Sequence, residues 1–294
     1  MNNQNQDFQN SEVNNVSEHK QQVKILVVTG FGINCEEETA AAYRMSGANA
    51  YISHLNDLFS GKIKLGDFDL LHLPGGFSFG DDLGSGKVLA DKLKFKHLPD
   101  GVSFFSEIKK FLAEGKFIFG ICNGFQALVK LGILPNISGN FEQEVTLTSN
   151  SSGHFEDRWC ILKRNRFNTS PFLSMIENIE LPVRHGEGRL LFSNAIVRDK
   201  IIEMGLNCLS YCDLGGNPTD QYPMNPNGSE LNCAGLSDPT GRVLGIMPHP
   251  EAYLSLYNHP EWPSMKRHGK SEKEEGEGIK IFRNIVSHIR KNKA

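Results

Sequence analysis

GKFIFGICNGFQALVKLGILP, residues 115–135, reads as a buried β-strand running straight into a helix, with one cysteine, Cys122, at the junction. FIFGI is short and continuously apolar, as in strands covered on both faces. The helical pattern starts at once in NGFQALVKLG, leaving no room for a loop. Glycines at 120 and 124 bracket the cysteine in G-x-C-x-G, the thiol counterpart of the nucleophile elbow. A turn this sharp has no space for flanking side chains, and glycine removes them and accepts unusual dihedrals. The thiol is then expected at the C-terminal edge of the sheet, where open α/β folds place ligands. The N–H of Asn123, at the helix N-terminus, faces any oxyanion formed there.

Outward from this corner, strand and helix patterns alternate. KILVVTG (24–30) is a short apolar run ending in glycine, followed by a helical pattern over 36–45 closed by Gly47. AYISHL and DFDLLHLPGG read as the next strands, and residues 88–112 as a long helical region. This alternation predicts an α/β fold: an open, mostly parallel sheet flanked by helices. After Pro135 the pattern changes. EVTLTSN, WCILK, RLLFSNAIV and LNCLSYC read as shorter, alternating strands that add mixed or antiparallel pairing in the middle section. GRVLGIMPHPE is a further strand leading into a turn. Ile281, Phe282, Ile285, Val286 and Ile289 form one face of a last helix with a basic final turn. SEKEEGEG (271–278) reads as a solvated linker before it.

The 294 residues and 39% hydrophobic content allow a substantial core. The expected organisation is a polar, Asn- and Gln-rich tail over 1–22 and one domain over 23–294. The tail carries neither a signal-peptide core nor an Arg-rich amphipathic pattern, so a cytoplasmic protein is expected. A formal net charge of −3 gives no electrostatic case for nucleic acid or an anionic membrane. No apolar run approaches the roughly 20 residues of a membrane-spanning helix. Cys35, Cys122, Cys160, Cys208, Cys212 and Cys233 show no C-x-x-C spacing, so no metal site is expected and the thiols are read as free.

A base for Cys122 is found in GIMPHPEAY (245–253). His249 and Glu251 are two apart in an extended segment, so both side chains point the same way. Pro248 and Pro250 fix the backbone on either side of the histidine. His249 would take the thiol proton, and Glu251 would hold the imidazole in the right tautomer. Apart from His185, the other histidines read as solvated or capping. LPGGFSFGDDLGSGK (73–87) follows the third strand, and an N–H near Gly76 or Phe77 could complete an oxyanion hole. Its GSGK is not a phosphate-binding loop, because Asp81 and Val88 stand where that motif needs glycine and Ser or Thr.

CNGFQ, MPHPE and an upstream PGGFS together resemble the class I (triad) glutamine amidotransferases. FGINCEEET, PGGFSFGDDL, GICNGFQAL, RHGEGR, GNPTDQYPMNPNGS and GIMPHPE, in this order over about residues 24–253, resemble more closely the glutaminase subunits of phosphoribosylformylglycinamidine synthase. The resemblance implies attack of Cys122 on the glutamine carboxamide, a γ-glutamyl thioester, and ammonia passed to a synthetase. It implies that Gln126 helps bind the glutamine backbone groups, and that the turn around His185, Gly186 and Glu187 clamps its α-amino and carboxylate ends. It implies no cofactor in this chain, with ATP and Mg in the partner synthetase, and room for a small third subunit. NPNGS and FGIN are expected near the docking surface. The N-terminal tail, residues 87–105 and the segment 257–278 are longer than in a compact member. A γ-glutamyl or cysteine peptidase of the same fold would share the elbow and histidine, but Gln126, RHGEGR and NPNGS argue against it. A non-catalytic subunit would not need Cys122, His249 and Glu251 intact.

Overall fold

The computed structural model describes residues 22–269 and 274–293. The elements run β1 Lys24–Thr29, α1 Glu36–Met45, β2 Asn49–His54, α2 Leu55–Phe59, β3 Leu70–Leu73, α3 Lys87–Phe95, α4 Phe104–Ala113, β4 Phe117–Ile121 and α5 Asn123–Lys130. They continue as β5 Val145–Ser149, β6 Glu156–Arg164, β7 Asn178–His185, β8 Glu187–Phe192, α6 Ala195–Glu203, β9 Asn207–Cys212, β10 Cys233–Ser237, β11 Val243–Ile246, α7 Trp262–Arg267 and α8 Ile279–Lys293.

Among the described residues the main sheet has the order β2-β1-β3-β4-β11-β10-β9-β6-β7. From β2 to β11 every pair is parallel, and from β11 to β7 every pair is antiparallel. β3, β4 and β11 are buried along their whole length, which is why their sequences are apolar without alternation. β4 and β11 meet in the register Gly120↔Gly245 and Ile121↔Ile246, so these two strands, far apart in sequence, end side by side. On α8, Ile281, Phe282, Ile285, Val286 and Ile289 are all buried, each contributing about 1.5–3 kcal/mol of burial. Among the described residues, no helix is long and apolar enough to cross a membrane.

Several local expectations change. The helical region over 88–112 is two helices, α3 and α4, because Pro99-Asp100-Gly101 turns the chain between them. RLLFSNAIV is not one strand: β8 ends at Phe192, and Asn194 starts α6 by accepting from the Val197 N–H at 3.0 Å. β5 and β8 pair with each other in a separate two-stranded ribbon and do not extend the main sheet. Residues 274–278 are docked rather than solvated, with the Gly276 and Gly278 N–H groups donating to Leu254 O and Tyr253 O. Residues 271–273 of that stretch, and residues 1–21 of the expected tail, lie outside the described residues.

Two histidines also depart from the solvated reading. His72 is fully buried against Tyr43, Phe119 and Phe282, and burial lowers its pKa to about 3. His259 is buried with its ring against Trp159. His54 does cap, accepting from the Asn56 N–H.

Candidate active site

Four neighbouring parallel strands, β1, β3, β4 and β11, each deliver one piece of the site from the loop after their C-terminal end. Cys122 is the first residue past β4, and its N–H donates to Ile246 O at 2.8 Å, locking the elbow to the end of β11. It adopts φ 49° and ψ −104°, a strained conformation held by the strand on one side and α5 on the other. The glycines supply space rather than dihedral freedom. A Cβ on Gly124 would overlap the Leu73 carbonyl of β3, and one on Gly120 would lie 2.6 Å from Leu128 Cδ1. The N–H of Gln126 closes the first turn on Cys122 O at 3.0 Å. The Asn123 N–H, one residue inside the helix, has no partner among the described residues.

The structure brings His249 and Glu251 to the same corner. His249 Nδ1 lies 2.6 Å from Glu251 Oε1, with both side chains almost wholly buried. The His249 N–H donates to Pro182 O at 2.8 Å, which fixes the post-β11 turn against β7. Burial alone would lower the His249 pKa. Burial is the largest single influence, but the Glu251 carboxylate and the nearby Cys122 and Cys35 thiols together outweigh it and hold the imidazole well above its usual range. Neither thiol is seated for a hydrogen bond to His249 Nε2, which has no partner among the described residues. The Cys122 thiol instead donates to Arg184 O at 3.5 Å. Sulfur, imidazole and carboxylate are therefore gathered, with the imidazole's free nitrogen still to be engaged.

Of the two donors considered for the oxyanion, the structure separates them. The Phe77 N–H is already bonded to Gly32 O at 2.9 Å, whereas the Gly76 N–H has no acceptor among the described residues. Gly76 has φ +143°, and a Cβ there would meet Gly32 O at 2.6 Å and Asn34 N at 2.9 Å. Only glycine permits this crossing of the β1 and β3 loops, which is pinned by an Ile33↔Gly76 bridge. Phe77 is half exposed and packs loosely against Phe155.

The RHGEGR segment forms the end of β7, a turn at Gly186 and the start of β8. Gln126 is buried, and both ends of its amide are engaged: Nε2 donates to Glu187 O at 2.5 Å and Oε1 accepts from Asn123 Nδ2 at 3.1 Å. In this state Gln126 ties the elbow helix to the hairpin turn. Glu187 is half buried, and its Oε2 accepts from the Ser85 N–H at 3.1 Å. His185 does not face outward as a clamp. Its ring is buried, its Nδ1–H donates to Asn150 Oδ1 at 3.1 Å, and burial lowers its pKa to about 3. The main chain of this segment, through Arg184 O, is what approaches Cys122.

Three further residues belong to the site's construction and escaped the sequence reading. Asn150, buried after β5, donates to His154 O and His185 O and accepts from the Gly188 N–H, so one side chain organises the whole turn. Asn227, fully buried, donates to Tyr211 Oη at 3.1 Å and faces His185 Nε2. It lies in NPNGS, whose Asn225, Asn227 and Ser229 are all buried; that segment braces β8 through the Ser229 hydroxyl, which donates to Gly188 O. Cys35, after β1, lies beside His249, as a Cβ on Gly75 would meet both the ring Cε1 at 2.7 Å and Cys35 Sγ at 3.3 Å. For Cys35 a signal existed, because it follows a parallel strand at the same sheet edge as Cys122. Asn150→Ala strips partners from several buried groups at once. It is expected to cost about 2–4 kcal/mol, read as a lower melting temperature, and to raise the KM for glutamine.

Over residues 22–289 the chain matches the CobB/CobQ-like glutamine amidotransferase domain. It is 40% identical over 268 residues to phosphoribosylformylglycinamidine synthase subunit PurQ of Dehalococcoides mccartyi, covering 91% of this chain and 98% of that one. It is 39% identical over 275 residues to the protein of the same name from Methanococcus maripaludis strain C7, with the same coverage. Among solved structures it is similar to one described as PurLQS from Thermotoga maritima, with a TM-score of 0.64, 29% identity, and coverage of 91% of this chain and 99% of that one. With an elbow cysteine, a histidine–glutamate pair and a two-glycine loop at one sheet edge, and with these relatives matched over nearly their full length, the chain belongs to the PurQ family of CobB/CobQ-like glutamine amidotransferases.

Proposed function

We propose that this protein is the glutaminase subunit of phosphoribosylformylglycinamidine synthase in purine biosynthesis. It hydrolyses glutamine to glutamate and ammonia, and passes the ammonia to a synthetase that converts formylglycinamide ribonucleotide to formylglycinamidine ribonucleotide. The observation that carries the chemistry is the His249 Nδ1–Glu251 Oε1 bond of 2.6 Å beside an elbow cysteine held in a strained conformation. His249 accepts the Cys122 proton, and the sulfur attacks the glutamine carboxamide carbon. The oxyanion that forms rests on the Asn123 and Gly76 N–H groups. His249 then returns the proton to the departing nitrogen, releasing ammonia. Water, deprotonated by the same imidazole, cleaves the γ-glutamyl thioester to glutamate. Gln126, Gly186 and Glu187 hold the far end of glutamine once the turn has shifted to admit it.

Cys122 is 5% exposed, so access requires movement of the 76–86 loop or the 184–188 turn. These two segments are latched to each other through Ser85 and Glu187, and to α5 through Gln126. Phe77 on the 76–86 loop, Phe31 on the loop after β1 and Phe155 just before β6 stand exposed, a rim suited to a docking synthetase. Docking that opens the latch would restrain wasteful hydrolysis in the free subunit. ATP and Mg act in the synthetase chain, and the complex works in the cytoplasm, with a small third subunit alongside. Residues 23–294 act as one domain.

Co-purification with the synthetase, followed by measurement of coupled glutamine and ATP consumption, tests the proposal. The expected result is slow hydrolysis by the free chain and rapid, coupled turnover in the complex. Fast cleavage of γ-glutamyl peptides by the free chain, with glutamine ignored, would overturn it in favour of a peptidase.

A further inference from the structure

Cys35 takes no part in the reaction derived above, yet it stands in the same corner. The ligating atoms of Cys35, His249 and Glu251 all lie within 4.8 Å of one another. Thiolate, imidazole and carboxylate together are a donor set suited to zinc, which takes sulfur at about 2.3 Å and nitrogen or oxygen at about 2.0–2.2 Å. A tetrahedral zinc would bring these atoms to roughly 3.5 Å from one another. The closure needed is small, and the Cys35 side chain, held by one long contact with Asn34 Oδ1, can rotate to make it.

Three independent observations point into this space. Glu251 Oε2 is buried and has no partner among the described residues, and Glu251 Oε1 lies 2.6 Å from His249 Nδ1, so the carboxylate and this ring nitrogen face one space. Gly75 keeps the space between the ring and Cys35 Sγ open, where any larger residue would fill it. Cys35 itself is only partly buried, in contrast to the other five cysteines, and its thiol makes one long contact with Asn34 Oδ1 at 3.4 Å. An ion therefore has a route in from solvent on the Cys35 side.

We propose that Cys35, His249 and Glu251 form an inhibitory site for a thiophilic divalent cation, zinc by its donor set. The fourth position is open to water. On binding, the Cys35 thiol gives its proton to solvent as the sulfur–metal bond forms. The metal sits on Nδ1, the nitrogen beside Glu251, and the ring proton moves to Nε2, so the imidazole can no longer accept the Cys122 proton; glutamine hydrolysis stops while the fold is stabilised. The proposal rests on the placement of His249 and Glu251 in the site, not on the identity of the nucleophile.

Cobalt(II), as a spectroscopic substitute for zinc, provides the test in the full chain carrying Cys122→Ser. That variant removes the other thiol near His249 and needs no activity for the readout. The expected result is one equivalent of cobalt with a sulfur-to-cobalt charge-transfer band, displaced by zinc, and a raised melting temperature with zinc. Adding Cys35→Ala should abolish the band and weaken binding roughly 100-fold or more. The melting temperature without metal checks that this second variant folds, and Cys35→Ser serves if it does not. In the wild-type complex, micromolar zinc should suppress glutamine-dependent synthesis and spare ammonia-dependent synthesis. Absence of the band in Cys122→Ser, or an equal band and affinity after loss of Cys35, overturns the proposal. Failure of the glutaminase reading would appear separately, as equal loss of both syntheses on replacing Cys122.

Discussion

Replacing Cys122 with serine is expected to lower glutamine-dependent synthesis by at least about 10⁴-fold, and to leave synthesis from added ammonia unchanged. The hydroxyl retains the elbow's shape but is a far weaker nucleophile at neutral pH, and no other group stands at the end of β4 to replace it. The size of the effect follows from the arrangement of the corner. His249, Glu251 and the two N–H donors act on a bond that only the Cys122 sulfur can form, so removing the sulfur idles all of them together. The ammonia-dependent reaction does not pass through this chain's chemistry and depends only on its docking. Measuring both syntheses in the complex separates a chemical defect from a structural one. Equal loss of both would mean that the substitution disturbs folding or assembly, and the assignment of Cys122 as nucleophile would fall. A glutamine analogue bearing an electrophile gives the complementary readout, a covalent adduct on Cys122 by mass spectrometry that is missing in the variant.

The second large effect is expected for Glu251→Gln, a loss of about 10²–10⁴-fold in kcat for glutamine hydrolysis. Glu251 is isosteric with its replacement, so packing in this buried corner is preserved. What changes is the imidazole. The carboxylate at 2.6 Å accepts the Nδ1 proton, leaves Nε2 free to act as a base, and stabilises the positive ring that follows proton transfer. A neutral amide stabilises that positive ring far less, and its NH₂ group can present a donor to Nδ1 and select the wrong tautomer. Without the carboxylate charge the balance tips back toward burial and the imidazole pKa falls, so proton uptake from Cys122 becomes harder. Glutamate formation in the complex is the measure, with ammonia-dependent synthesis and melting temperature as controls. Retention of activity within about fivefold would show that Pro248, Pro250 and the bond to Pro182 O orient His249 unaided, with the carboxylate dispensable.

How far the sequence alone could lead is seen in particular residues. The elbow was legible because its requirement is local: a strand, a thiol and a helix in direct succession, with glycines where Leu73 and Leu128 leave no room. The parallel half of the sheet was legible for the same reason, since strands buried on both faces show unbroken apolar runs. β7 and β10 were missed and α6 was read as strand: β7 sets Glu180, Pro182 and Arg184 among its apolar residues, and β10, though buried throughout, is a five-residue run of mostly small residues, CAGLS. The break between α3 and α4 was written in Pro99 and Gly101 and was passed over because apolar residues continue on both sides.

The sequence by itself determined that one thiol stands on a sharp strand-to-helix turn and that a histidine and a glutamate follow another buried strand. Those features depend on neighbours within a few residues, so they survive any larger arrangement. Tertiary structure alone decided that β4 and β11 lie side by side in a register that joins Cys122 to His249, and that β7 returns to give Pro182 O to one and Arg184 O to the other. It also decided that Gly76 rather than Phe77 keeps a free N–H, that NPNGS is internal bracing, and that Cys35 shares the corner with the base. Each of these is set by pairing and burial between segments distant in the chain, where the cost of an unpaired buried N–H or carbonyl, not any local preference, selects the partner.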